Sequence, residues 1–398
     1  MFVDNSWMLP DGIEEILPEE AGRLEVLRRK VLDLCRCWGY RLVIPPLIEF
    51  IEPLLTGSGS ELDLKTFKFV DQSSGRLLGI RADMTPQVAR IDARYHSSRV
   101  PARLCYVGTV LHTRTDNLSR SRDPLQVGAE LYGHLGVESD IEIIRLAVEC
   151  LRACGFSEIH LDLGHVGVFR GLAQFAELDF RQESELFEIL QRKAIPELEE
   201  FLAAHVRIEM VAEWLRALVF LNGDIGVVSE ARKRFAEAPP KVKAALSEVS
   251  EIADRLAVLL PGANFHFDFA ELRGYHYQTG IVFAAFVPGF GKEIARGGRY
   301  DDIGKAFGRA RPATGFSADL KLMARLSHGF DISTSREVIL APAGDDFELD
   351  RAIARLRLEG RVVIQGFTGQ EGDAATLGYS HELKYLNQSW TVLPAAMH

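Results

Sequence analysis

The chain has 398 residues, enough for two or three domains and for a core that needs no disulfides. Hydrophobic residues make up 47 % and charged residues 26 %, and the formal net charge is −10, which argues against a protein that holds nucleic acid mainly by phosphate neutralisation. No uninterrupted apolar run approaches the roughly 20 residues that span a bilayer, the N-terminal MFVDNSWMLPDG lacks the features of a secretory signal, and five cysteines are too few for a disulfide scaffold. These features point to a cytoplasmic chain whose cysteines are reduced core thiols.

In chain order, the first predicted element is a helix from Glu19 to Trp38, with Leu24, Leu27, Val31, Leu34 and Trp38 on one stripe and Gly39 as its stop. Tyr40–Ile44 reads as a strand ended by Pro45 and Pro46. A helix starts near Thr85, with the threonine as cap and Pro86 in its first turn. Leu104–Val110 reads as a buried strand, His112–Asp123 as a polar loop and Leu125–Tyr132 as another strand. Ser139 and Glu142 have capping-box spacing for a helix that runs to Cys154 and stops at Gly155. Glu158–Leu163 alternates like a strand.

Between residues 171 and 262 the pattern is almost wholly helical, an insertion in a strand-rich chain. Strands resume at Phe265 and continue through Gly280–Phe286 and Lys292–Arg296, with a helix after Ser317. The last unit, from residue 331, reads as strand (VILAP), helix (Asp350–Leu358), strand (RVVIQ) and an end without clear pattern. The expected organisation is a core of residues 1–170 and 263–330, a helical insertion at 171–262 and a small C-terminal α/β domain at 331–398.

Four segments carry polar groups at what should be strand ends of one antiparallel sheet: RADMTPQ (81–87), QVGAELYG (126–133), ELRGYHYQTG (271–280) and GGRYDD (297–302). In this order they resemble the catalytic core of histidyl-tRNA synthetase, a class II synthetase. PARLCYVGTVLHTRTDNLSRSRDPLQVGAELYG is similar to that family's motif 2, LRGYHYQTGIVF to its histidine-binding segment, and GGRYDDIGKAFGRARPATGFSADL to its motif 3 region. LPDGIEEILPEEA is similar to the opening segment, so the resemblance covers residues 5 to 330. The implied fold class is α+β, a class II synthetase-like antiparallel sheet flanked by helices.

The departures bear on activity. His112 stands where motif 2 of the family has an ATP-binding arginine, and Arg114 where it has a glutamate two positions on. GFSADLKL replaces GFxxGLER, so Asp319 replaces a glycine and Leu322 a second ATP-binding arginine. Adenylation depends on preorganised cations at a phosphate, and losing one such donor typically costs about 100- to 1,000-fold in rate. Loss of two implies that useful adenylation is gone.

The amino-acid pocket implied by the resemblance is largely retained. Asp83 stands for the acidic residue that holds the substrate α-amino group, with Thr85 beside it; Gln126 and Glu130 match residues lining the site; Arg273 matches the arginine that meets the carboxylate; Tyr277 falls where an aromatic hydroxyl faces the imidazole. Such a set suits free histidine, because each ionised end that leaves water needs a partner. Each residue also has an architectural reading: Asp83 as a helix-start residue, Gln126 and Glu130 as edge-strand groups, Arg273 as half of an ion pair, and Arg114, Arg120 and Arg122 as a solvated loop. Gly297 and Gly298 read as serving backbone geometry.

The 60-odd residues after the core are fewer than the anticodon-binding domain of the synthetases. Core, substitutions and short end together resemble the regulatory subunits of ATP phosphoribosyltransferase, a paralogous family. That resemblance implies a non-catalytic role without a cofactor at the first step of histidine biosynthesis, with feedback inhibition by histidine. It also implies a homodimer through the motif 1 region (about Tyr40 to Leu54), assembly with the short-form catalytic subunit into a hetero-octamer, and no tRNA or membrane partner. A divergent active synthetase, with Arg114 as compensating cation, and a synthetase-like ligase with a non-RNA acceptor remain as alternatives.

Overall fold

The computed structural model describes residues 7–56, 60–95, 100–115, 121–270, 277–327, 337–370 and 372–395. The chain divides into two compact units, Met1–Gly329 and Phe330–His398.

The first helix, Pro18–Cys37, starts with proline in its first turn and with Glu19 and Glu20 against its positive end. Leu27, Val31 and Cys35, four residues apart, are its buried face. Gly39 (φ 84°) supplies the left-handed residue that ends it.

The first unit is built on a nine-stranded sheet. From one edge its order is Arg41–Leu42, Ala102–Thr109, Leu125–Tyr132, Ala313–Asp319, Ala295–Arg299, Ile281–Phe286, His160–His165, Asn264–Asp268 and Asn222–Gly223. Pairing is antiparallel except between the first two strands and between His160–His165 and Asn264–Asp268. One face packs under the long helix Val137–Ala153, whose Ile143, Ile144, Leu146, Ala147 and Val148 are fully buried. A second, three-stranded antiparallel sheet of Ile48–Phe50, Leu77–Ile80 and Phe67–Val70 lies in the same unit.

Several local expectations change. Ser139 lies inside the helix rather than at its cap: the N-cap is Gly136, with no side-chain cap bond. The Ser139 hydroxyl bonds the Gly136 carbonyl at 2.8 Å, while Glu142 receives both Arg103 nitrogens at 2.7 Å and the Tyr40 hydroxyl at 2.9 Å. Thr85 does not cap its helix either; its amide donates to Asp83 Oδ1 at 3.0 Å. Cys35, Cys105, Cys150 and Cys154 are buried, but Cys37 is exposed and is no core thiol.

Residues 166–259 form six helices, from Val166–Phe175 to Pro240–Leu259, and Asn222–Gly223 adds the edge strand of the main sheet from within this stretch. The capping box at Asp179 and Gln182 is complete.

In the second unit, Val362–Gln365, Val338–Ala341 and His381–Leu386 run parallel, and Ser389–Pro394 folds back on the last of them. Helix Phe347–Leu358, capped by Asp346, buries Leu349, Ile353 and Leu356 against Ile339 and Leu383. The end without pattern is therefore an ordered hairpin, closed by Asn387 (φ 46°) and Gln388 (φ 61°) and braced by a Tyr385–Trp390 ring pair at 5.3 Å.

Candidate functional site

The floor of the site follows from strand register. Gly315 pairs with Glu130 on one side and Gly298 on the other; two residues along, Ser317 pairs with Gly128 and Arg296. Gln126 pairs with Asp319. Because side chains repeat every second residue, Gln126, Gly128, Glu130 and Tyr132 share one face with Asp319, Ser317, Gly315, Arg296 and Gly298. That face is turned away from the helix packed beneath, toward which Arg299 reaches Asp140 at 2.9 Å.

Glycine clears this floor. A Cβ at Gly315 would strike the Glu130 carboxylate and come within 2.8 Å of the Ala129 carbonyl; one at Gly128 would strike the Tyr106 hydroxyl and the Phe316 carbonyl. Glu130, 1 % exposed, occupies the space so opened. Tyr106 donates to Glu130 Oε1 at 2.9 Å and Tyr300 donates to Oε2. Burial pushes the Glu130 carboxyl up to about 8, assisted by the nearby Asp83 charge and opposed by the two phenols. Burial also holds the Tyr106 and Tyr300 phenols well above their ordinary range.

Asp83 is set from the other side. Gln126 Nε2 donates to Asp83 Oδ1 at 2.7 Å, and Gln126 Oε1 accepts from the Met84 amide at 2.9 Å. Thr85 Oγ1 lies 3.2 Å from the Tyr106 hydroxyl, which joins the two carboxylates through one chain of groups. Asp83, Thr85, Glu130 and Tyr277 line one pocket, and Asp83 and Gln126 line a cavity of about 170 Å³ that shares Asp83, Arg296 and Ser317 with it. The structure thus brings five of the six expected residues together. Arg273 lies outside the described residues. Tyr277 is the most open of the five, 40 % exposed, while its neighbour Gln278 is buried with an Oε1 that has no partner among the described residues. Tyr106, Tyr300, Gln278, Arg296 and the glycine floor were not singled out from sequence as ligand-shaping groups; within its own strand Gly128, two residues from Glu130, was the available signal, and the rest needed strand register.

The larger cavity is where the family resemblance places a nucleotide. His112 bonds the Ala82 carbonyl through Nε2 at 2.9 Å and half-buried Leu322 lines the wall. Asp319 is consumed by the backbone: its Oδ1 accepts from Lys321 N at 3.0 Å, capping helix Leu320–Leu326, and from Leu125 N at 3.1 Å. Burial raises its pKa, with those amides opposing. Lysine and arginine are nonetheless present as Lys65, Lys292 and Arg296, whereas Arg114 is exposed and lines neither cavity. Arg122 is no solvated loop residue: its Nε donates to the His112 carbonyl at 2.9 Å and its guanidinium stacks on Phe67. Among the described residues, no group of His, Cys, Asp and Glu is placed to hold a metal ion, and no helix is long and apolar enough to cross a membrane.

Residues 12–323 match the family model of histidyl-tRNA synthetase, and residues 336–393 match that of the ATP phosphoribosyltransferase subunit HisZ C-terminal domain. The chain is 59 % identical to an ATP phosphoribosyltransferase regulatory subunit of Methylococcus capsulatus, over 99 % of this chain and 97 % of that protein. A protein of the same name from Thioalkalivibrio sulfidiphilus is 56 % identical, with 98 % of each chain covered. Among solved structures, an ATP phosphoribosyltransferase regulatory subunit/histidyl-tRNA synthetase from Bacillus halodurans superposes with a TM-score of 0.82 at 26 % identity, covering 94 % of this chain and 96 % of that one. Histidyl-tRNA synthetase from Nostoc sp. PCC 7120 shares the fold, with a TM-score of 0.77 at 19 % identity over 95 % and 91 % of the two chains. The class II synthetase-like α+β core, joined to the C-terminal unit and to relatives of such identity over the full length, makes this chain a member of the ATP phosphoribosyltransferase regulatory subunit family.

Proposed function

We propose that the chain acts as the non-catalytic, histidine-sensing subunit of an ATP phosphoribosyltransferase and confers feedback control on the first step of histidine biosynthesis. The observation that carries this reading is the contrast between two adjoining cavities. One keeps two acidic side chains, Asp83 held by Gln126 and Glu130 held by Tyr106, with Thr85 and Tyr277 around them. In the other, the position of a motif 3 arginine is Leu322 and that of a glycine is Asp319, already bonded to the backbone. Asp83 suits an ammonium group and Glu130 an imidazole N–H, with Gln126 orienting Asp83 and Arg273 as a partner for the carboxylate. Histidine that prefers one arrangement of the assembly shifts the population toward it.

The partner is proposed to be the short-form catalytic subunit, in a hetero-octamer built on homodimers of this chain. The motif 1 region supports the dimer, since Leu42, Ile44, Leu47 and Ile48 are exposed and apolar there. A cytoplasmic location goes with this role.

The test combines calorimetry with enzyme assays. Histidine should bind the purified chain, ATP-dependent pyrophosphate exchange should be absent, and histidine should slow the transferase in the mixture of both subunits. Lys65, Lys292 and Arg296 in the larger cavity are the groups an adenylating enzyme would have to use. Robust exchange with no effect on the transferase would favour that second reading.

A further inference from the structure

One short stretch of chain joins the amino-acid pocket to the apolar motif 1 face. Residues 81–90 start at the pocket, which Asp83 and Thr85 line, and run into helix Thr85–Tyr95. The same residues hold the backbone of residues 45–47. The Arg81 amide donates to the Leu47 carbonyl at 3.0 Å, Arg81 Nη1 to the Pro45 carbonyl at 2.6 Å, and Gln87 Nε2 to the Pro46 carbonyl at 2.8 Å. Three successive carbonyls are thus taken by one segment.

Glu49 completes the attachment. It lies on strand Ile48–Phe50 with its side chain buried, and it accepts from Gln87 Nε2 at 2.8 Å and from both terminal nitrogens of Arg90. A forked guanidinium on a buried carboxylate fixes direction as well as distance. Successive side chains of a strand point to opposite faces, so Ile48 points away from Glu49. Ile48 and its neighbour Leu47 are each 45 % exposed. Thr85 to Arg90 is about 7.5 Å of rigid helix axis, so a movement at the pocket end is felt at Glu49.

Gln87 adds a separate observation. It is 1 % exposed, its amide nitrogen serves Pro46 and Glu49, and its Oε1 has no partner among the described residues. Turning the amide over would set its oxygen against two acceptors, so the bare carbonyl belongs to the packing. A buried acceptor without a donor is costly and persists only where its surroundings hold it.

We propose that Gln87, Arg90 and Glu49 form a coupling joint that carries occupancy of the histidine pocket to the motif 1 face, where a second copy of the chain sits. Histidine held by Asp83 and Thr85 moves the start of the helix, the packing gives at the bare Gln87 carbonyl, and Glu49 resets Leu47 and Ile48. The proposal rests on the histidine and dimer readings above and names how the pocket is coupled to the assembly. None of the three residues lines the pocket, so the joint governs response rather than recognition.

Calorimetry, transferase assays and subunit exchange on full-length chains test the joint. Gln87→Met keeps length and helix propensity and removes the amide; Arg90→Lys keeps the charge and loses the fork. In both variants histidine affinity should stay within about threefold of native and the uninhibited rate of the mixed subunits within about twofold, while the histidine needed for half-inhibition rises about 5- to 150-fold. Exchange between labelled and unlabelled dimers should change at least about fivefold when histidine is added to the native chain, and less than about twofold in the variants. Thermal melting checks folding, and Glu49→Gln with Arg90→Met, a neutral pair of similar size, replaces a variant that does not fold. Variants that are inhibited and exchange like the native chain overturn the joint and leave the pocket and feedback readings standing. A variant that loses histidine binding itself also overturns it, by placing the residue in recognition. A native chain that is monomeric, or whose exchange ignores histidine, overturns the path through the motif 1 face. Absence of histidine binding by the native chain overturns the pocket assignment instead.

Discussion

At the scale of single residues, Glu130 links the pocket to pH. The folded chain holds its proton up to about pH 8, while an unfolded chain loses it near the ordinary value of 4.5. Between those values the folded state binds more protons, so its stability falls as pH rises through that window and is fully present below it. The expected contribution is on the order of a few kcal/mol. Urea midpoints measured from pH 4.5 to 8.5 should decline more steeply for the native chain than for Glu130→Gln; parallel curves would contradict the assignment. Gly315 offers a steric counterpart. Because a methyl group there meets the Glu130 carboxylate and the Ala129 carbonyl, Gly315→Ala should cost about 1–3 kcal/mol in denaturant unfolding and abolish histidine binding. Both acids were legible in the sequence, Glu130 because its segment resembles motif 2 and Asp83 because RADMT stands for the family's acidic segment. The tyrosines that clamp Glu130 were not, since a buried phenol announces itself only once strand register is known.

At the scale of elements, the sheet and its helix are joined by one buried ion pair. Arg299, 6 % exposed, donates to Asp140 from two nitrogens and to the His134 and Gly136 carbonyls and the Ser139 hydroxyl. Arg299→Met would leave the Asp140 carboxylate buried without its cation, and the expected cost is about 3–5 kcal/mol, read as a lowered urea midpoint. Asp140→Asn together with Arg299→Met should recover part of that loss. This network also explains why the capping box expected at Ser139 and Glu142 does not form: both side chains have stronger partners in the tertiary structure. Long periodic elements were read correctly, with Leu125–Tyr132 matching residue for residue. Strands of three or four residues, such as Ile48–Phe50 and Leu77–Ile80, are too short to show alternation. The closing hairpin was missed because its turn places Asn387 and Gln388 at positive φ without the glycine that normally signals such a turn.

At the scale of the whole molecule, family membership rests on the order of parts, a synthetase-like core followed by a C-terminal unit of its own type. The proposed feedback role makes a quantitative demand on the proposed assembly. If histidine inhibits by weakening substrate binding, the catalytic subunit's substrates must in turn weaken histidine binding by the same factor, typically 5- to 150-fold. Histidine titrations of the mixed subunits with and without those substrates should show that shift, and Asp83→Asn should remove histidine sensitivity without lowering the uninhibited transferase rate. Equal histidine affinity in both titrations would mean that the pocket is not coupled to substrate binding.

The uneven placement of the thiols has a practical use. Cys35, Cys105 and Cys154 combine burial with pKa values pushed upward, Cys154 to about 12, and Cys150 is buried as well. Cys37 alone among the five stands in solvent, at the end of the first helix and a few residues before Tyr40. Thiolate chemistry at neutral pH should therefore modify one position in the unaltered sequence. A maleimide dye attached there would report subunit docking by fluorescence without any engineered mutation.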